Sequence, residues 1–391
     1  MLGFTPAPSQ GRKTLKSETI IVGADVDSLT EAFEYLDKYA HIKNAKFVVK
    51  MPSSEADHFQ EFLDLRDDDY SNVTVEGAVP LSATSTSVVF SGAVPSFSVT
   101  FNFNPSAPGT TDFIAAAVKA GAVVVHAAGD PGTAADGCIA GFWPVTSTTA
   151  SSITLAIKIR GTISATTLST QSVLLQVLSS MFKPKVIGGA KKGLIAAVDS
   201  VAPRLKWLGF NGGRYDGDAG AVVINGENSL LRFGETDSIN IDPGLAVTGA
   251  KGGLGAFNAT RANGIVIISD CSETGVLVGY GASYMSKYAI TTGNITHGAM
   301  VSQTGVMAVS PFNGSPLSAF SGNGVNGLVV QESAWVHSIS MHCASNAAAA
   351  QIMAQNNAWL VMGGTTQATL IGSSSPNANI AGNSNAYIKR Y

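Results

Sequence analysis

Ser272-Glu-Thr-Gly-Val276, Ser302-Gln-Thr-Gly-Val306, Glu332-Ser-Ala-Trp335, Asn356-Asn-Ala-Trp359 and Ser384-Asn-Ala-Tyr387 are look-alike stretches in the last third of the chain, and their recurrence decides the fold. Counted from the small residue of each (Gly275, Gly305, Ala334, Ala358, Ala386), the steps are 30, 29, 24 and 28 residues, a period that signals stacked repeats. Between the marks stand Val, Ile, Thr, Ser, Asn and Gly, with no heptads and no Leu, Glu, Lys or Arg at helical spacing. Each repeat is therefore built from strands and turns. The expectation is an all-β chain whose main body is a parallel β-helix, a solenoid.

Composition agrees. The 391 residues exceed what one compact core usually covers, and a solenoid lets a chain of this length stay one unit. Charged residues make up 13%, glycines number 42, and mean hydropathy is +0.21, which excludes a disordered chain. No stretch approaches the roughly 20 apolar residues of a spanning helix, so no membrane insertion is expected. Met1-Leu-Gly-Phe-Thr-Pro-Ala-Pro8 lacks the apolar core of a secretory signal, so the export machinery is expected not to be used. A net charge of −3 and the lack of a visible basic face argue against nucleic acid, Lys191-Lys192 being too short to serve. The cysteines, Cys138, Cys271 and Cys343, are far apart with no C-x-x-C pair. They read as buried free thiols, as suits folding in a reducing cytoplasm; no metal and no cofactor is expected.

Along the chain, residues 1–17 read as a lead-in or attachment segment, and 18–78 as a capping helix with the first coil. Ser28-Leu-Thr-Glu31 has capping-box spacing, and Leu29, Ala32, Phe33 and Leu36 share one helix face. Such a helix laid over the first coil hides unpaired strand edges. The strand-like runs Lys46–Met51 and Asn72–Gly77 follow, separated by the acidic segment Glu55–Asp69. Residues 79–165 change character. The period-two run Ile153, Leu155, Ile157, Ile159 and the Gly129-Asp-Pro-Gly132 turn predict a small inserted antiparallel β-barrel, a module expected to be separable from the stack. Residues 166–391 form the shaft: from Leu174 onward a spacing near 28 residues gives roughly eight coils, about 35–40 Å of stack. Residues 242–391 carry nine charged side chains, so another subunit is expected to cover at least one face.

Asp25-Val-Asp-Ser-Leu-Thr-Glu-Ala-Phe-Glu-Tyr-Leu36 followed by Ala45–Met51, then Asp69–Gly77, resembles the helix and first strands that open phage tail fibres and tailspikes of the pectin-lyase-like, right-handed β-helix type. Tyr280-Gly-Ala-Ser-Tyr284, Thr292-Gly-Asn294, Ser302–Gly305 and Asn356–Trp359 are similar to the degenerate coil repeats of fibre shafts. The resemblance covers about two thirds of the chain. It implies a homotrimer on the virion, folded in the host cytoplasm, held by a tail or baseplate protein near its N-terminus, and binding host surface polysaccharide for adsorption. Two alternatives stand beside that reading: a polysaccharide depolymerase, hydrolase or lyase, on the same helix, and a purely structural tail or baseplate component.

Glycoside hydrolysis needs two carboxylates about 5–9.5 Å apart. Asp216 and Asp218 in Gly213-Arg-Tyr-Asp-Gly-Asp218 share a face if extended, and Glu227, Glu235, Asp237, Asp270 and Glu273 lie one or more coils away. The competing reading makes all of them turn residues facing water. Asp67-Asp-Asp69 lacks the spacing of a calcium loop and reads as a solvated turn. Trp335, Trp359 and Tyr387 follow the same small residue in successive repeats and predict an aromatic column. Facing out, it is a platform for sugar rings; facing in, core; at a subunit contact, an anchor. His297, His337 and His342 have no partners visible in sequence.

Overall fold

The computed structural model describes residues 14–38, 40–41, 45–53, 59–61, 63–66, 69–126, 138–161, 172–184, 186–187, 190–191, 195–212, 222–225, 229–233, 244–310, 318–339, 341–343, 346–347, 352–363, 380–382 and 386–390. Three parallel sheets run side by side along a β-solenoid, with eight, nine and eleven strands. In chain order each coil visits a first, a second and a third face. Val266–Ser269, Val276–Val278 and Ser283–Ser286 make one coil. In the next, Ala289, Ala299 and Val306 align with Val266, Val276 and Ser283. The second face, with one strand per coil, counts the coils as about nine.

Alternate residues point inward. Leu231, Ala262, Tyr284, Met307, Val336 and Leu360, aligned rung to rung on the third face, are all buried. The corners explain the sequence marks. Between the second and third faces the chain turns through two left-handed residues, such as Gln303 and Thr304 (φ 48° and 62°), Glu332 and Ser333 (57° and 62°), and Asn356 and Asn357 (54° and 63°). A small buried residue, Ala334 or Ala358, then leads into the third-face strand.

One mark belongs elsewhere. Ser272–Val276 leads into the second face, and its coil's true counterpart is Tyr280-Gly-Ala-Ser283, with φ 52° and 75° at Tyr280 and Gly281. Aligned correctly, the third-face starts are Arg261, Ser283, Val306, Trp335, Trp359 and Tyr387, so a coil ranges from 22 residues upward rather than holding near 28.

Between the first and second faces a buried amide ladder ties coil to coil. Cys271 N–H donates to Asn294 Oδ1 at 3.0 Å, Asn294 Nδ2 to Asn323 Oδ1 at 2.9 Å, and Asn323 Nδ2 to Asn346 Oδ1 at 2.9 Å. Four residues on, a glycine is required: a Cβ at Gly298 would meet the Gly327 carbonyl oxygen at 2.5 Å and Asn323 Nδ2 at 2.8 Å. Satisfied buried amides of this kind fix register as well as adding hydrogen bonds.

Near the N-terminus, the helix Leu29–Asp37 buries Leu29, Ala32, Phe33 and Leu36, and Ser28 Oγ accepts from Glu31 N–H. Phe33 meets Tyr70 edge-on at 4.9 Å. The acidic segment expected to separate two strands instead supplies two, Phe59–Glu61 and Leu63–Arg66, the first- and second-face strands of the earliest three-faced coil. Charge on end strands discourages edge-to-edge pairing, which is why their composition hid them.

The insertion leaves after Val73–Glu76 and returns at Ser180–Pro184. It is a seven-stranded antiparallel sheet in the order Leu81–Thr84, Leu174–Val177, Ala122–Val125, Gly141–Thr148, Ser152–Lys158, Ser96–Asn102, Ser87–Ala93. The helix Thr110–Ala120 packs with it. This corrects two expectations. The described edge strands do not pair with each other, so the sheet stays open rather than closing as a barrel, and it extends to Val177, into the stretch assigned to the shaft. The reason is that its apolar side has another cover. Phe142, Trp143 and Leu155 share one core with Ala246, Ile267, Ile290 and Ala319, the outward residues of the first face. That face is consequently buried on both sides, as Leu245–Thr248, Val266–Ser269 and Ala289–Thr292 are throughout. Polar contacts fix the docking: Phe142 N–H donates to Ser269 Oγ at 2.8 Å, and Arg160 Nη2 to Asp270 at 2.8 Å. The first face is thus covered by the chain itself.

Candidate functional site

With the first face buried, ligands have the second and third faces. On the third, outward positions are set by parity. Ala334 and Ala358 turn inward at the corner and are fully buried, so the residue after each turns out. Trp335, Trp359 and Tyr387 align on successive rungs and are 37%, 52% and 44% exposed. The aromatic column therefore faces solvent in the chain, not the core. Trp359 and Tyr387 stand 4.7 Å apart between ring centroids, and His337 stacks on Trp335 at 5.9 Å.

A polar rim runs beside the rings. Gln355 Nε2 donates to Gln331 Oε1 at 2.7 Å, and the left-handed corner residues before the rings, Glu332, Ser333, Asn356 and Asn357, are exposed and bring a carboxylate, a hydroxyl and two amides to these corners. Parallel strands hold the rungs at fixed spacing, about 4.8 Å. Flat apolar surfaces flanked by amide and hydroxyl groups suit ligands with apolar C–H faces and many hydroxyls.

Asp216, Asp218 and Glu227 lie outside the described residues, as do Glu235, Asp237, Asp67 and Asp68. Three further acids weighed from the sequence, Asp270, Glu273 and Asp69, are engaged. Asp270 is bonded to Arg160; burial raises its pKa above the ordinary carboxylate value, with Arg160 and Lys158 acting in the opposite direction. Glu273 pairs with Lys251 at 3.3 Å. Ser71 N–H donates to Asp69 at 2.8 Å. Among the described residues no cluster of acids, histidines and cysteines has the makings of a metal site. His297 Nδ1 accepts from Asn326 N–H at 3.3 Å, and burial lowers its pKa. Cys138, Cys271 and Cys343 are buried and form no disulfide, and burial pushes the Cys271 and Cys343 thiols up, away from reactivity. No helix among the described residues is long and apolar enough to cross a membrane.

No protein-family model matches the chain, and no curated protein matches it. Among solved structures, the tailspike gp61 of Pseudomonas phage phi297 is matched over 96% of this chain and 72% of that one, at 12% identity and a TM-score of 0.21. A likeness at that TM-score carries no argument. The solenoid assignment rests on the strand ladders.

Proposed function

We propose that this protein is a virion adsorption protein, a phage tail fibre or tailspike that binds host surface polysaccharide along its third face. The observation that carries the reading is the solvent-facing ladder Trp335, Trp359, Tyr387 on a rigid parallel sheet, rimmed by Gln331 and Gln355. In this reading the solenoid is right-handed and pectin-lyase-like, the helix Leu29–Asp37 caps it, and residues 1–17 attach it to a tail or baseplate protein. It acts as a homotrimer, folded in the host cytoplasm before assembly. An apolar column supports the trimer: on the second face Leu277, Met300 and Met353 stand half-buried, in register with the buried Val329 and with no polar side chain among them.

The test is binding of purified host polysaccharide by the full chain. Trp335→Ala and Trp359→Ala should each weaken binding by roughly tenfold, since loss of a stacking ring is worth about 1 kcal/mol beyond its buried area. Both variants should keep the wild-type far-ultraviolet spectrum. Full affinity in both would remove the third-face ladder from the reading. Shortening of the polymer during the assay would move the assignment to the depolymerase alternative, with Asp216, Asp218 and Glu227 as the first residues to replace. A protein that binds no glycan would leave the structural tail component.

A further inference from the structure

Lower on the third face, Thr74, Arg204, Arg232 and Asn263 align on successive rungs and face outward. Two guanidinium groups side by side on neighbouring coils repel each other. The adjacent column shows the ordinary solution, since Lys50, Glu76 and Lys206 alternate in sign from rung to rung.

The arginine pairing is made by a local irregularity. Val201 aligns with Leu230, and the register then shifts so that Arg204 aligns with Arg232. Without the extra residue, Pro203 would stand opposite Arg232. A bulge re-aims the side chain that follows it, and proline tolerates that position because it has no N–H to contribute to the ladder. No other described ladder of the solenoid has such a shift. Arg261, exposed on the next coil, adds a third cation one column over.

Among the described residues no ion pair balances these charges. Arg232 Nη2 donates to the Ser71 carbonyl oxygen, while its buried Nε has no hydrogen-bond partner. Burial and then Arg204 push the Arg232 pKa down, with Asp69 acting the other way. Among the described residues neither Arg204 nor Arg261 has an ion-pair partner. Asp69 and Glu76 are the acids nearby in the ladders, one bonded to Ser71 N–H and the other flanked by lysines.

We infer that Arg204 and Arg232, with Arg261 beside them and the Thr74 hydroxyl and Asn263 amide at either end, form a binding site for the oxyanion groups of an acidic polysaccharide. Paired guanidinium forks match carboxylate and phosphate oxygens, and a bound anion removes the repulsion. Naming a polysaccharide as the carrier rests on the adsorption reading; the oxyanion site does not.

The experiment titrates the full chain with oligogalacturonate, with neutral dextran of similar size and with inorganic polyphosphate, and melts each protein without ligand. Wild type should bind oligogalacturonate, with affinity falling as salt rises, and should not bind dextran at this site. Arg204→Gln and Arg232→Gln should each weaken oligogalacturonate binding tenfold or more. Arg204→Gln should also melt no lower than wild type, because it removes a repelling neighbour; Arg204→Lys, which keeps the charge without the fork, should lose most of the affinity. Unchanged binding in both glutamine variants would overturn the site, and so would an Arg204→Gln protein that melts well below wild type. Equal, arginine-dependent binding of polyphosphate would keep the oxyanion site and overturn the polysaccharide carrier. Loss of host-glycan binding in Trp335→Ala with the arginine variants unaffected would sink this inference and leave the adsorption reading intact.

Discussion

His126 sits where the inserted sheet meets the stack, fully buried, its Nε2 2.7 Å from Gln176 Oε1 and its Nδ1 3.4 Å from the Tyr288 hydroxyl. Every group is satisfied when the neutral ring donates from Nε2 and accepts at Nδ1. Burial lowers its pKa from 6.5 to about 4, opposed by the Gln176 bond. Between those values the unfolded chain binds a proton that the folded one does not. The stability His126 contributes is thus complete above about pH 6.5 and lost as pH falls toward 4, about 3 kcal/mol in all. Denaturant titrations at pH 7 and pH 4 should show this loss in wild type and not in His126→Phe; parallel pH profiles would refute it. His126 carried no signal in the sequence, because its partners lie in distant strands. The aromatic column was more legible. That Trp335, Trp359 and Tyr387 align followed from their spacing, but their direction did not: it is the burial of Ala334 and Ala358 in the structure that turns the next residue outward. The arginine pair was hidden because Arg204 and Arg232 are 28 positions apart and come together only through a bulge.

Individual strands show the same division. Repeats built on turn chemistry announce themselves, because a corner of two left-handed residues selects Asn, Gly and small polar side chains. The strands Phe59–Glu61 and Leu63–Arg66 carry end-strand charges, so composition masked them. For the insertion, period two along Ile153–Ile159 revealed strands but not what covers them: alternation says that one side is apolar, and the cover here is a first face more than 80 residues away in sequence. Removing residues 78–178 would strip Ile267, Ile290, Ala246 and Tyr288 of their cover, at roughly 2 kcal/mol for each large side chain. A chain with that deletion should be insoluble or melt far below wild type. A soluble deletion protein with an unchanged melting temperature would show instead that the sheet is an independent module.

Across the whole molecule, the three faces divide the work. The first is sealed by the chain's own sheet and the third carries aromatic rings and arginines, which makes the second the face on which the proposed trimer would meet. Its column Leu277, Met300, Val329 and Met353 is apolar at every rung, with Leu277, Met300 and Met353 half-buried and Val329 buried. Ile295 and Val325 are exposed at the neighbouring corner. Four rungs at about 4.8 Å make a stripe roughly 15 Å long, which with the corner residues can seed an interface of the ordinary size of about 800 Å² per partner. Closed cyclic symmetry lets three identical stripes meet around one axis without leaving an open end. Light scattering of the wild type in dilute buffer should therefore give three times the monomer mass of 40.1 kDa. Met300→Asp places a charge in the middle of the stripe, where desolvating it costs several kcal/mol, and should give the 40.1 kDa species with its strand content retained. A wild type that scatters as a monomer at every concentration would overturn the assembly. A Met300→Asp protein that stays trimeric would place the subunit contact on another face and make the third-face aromatics the next residues to test.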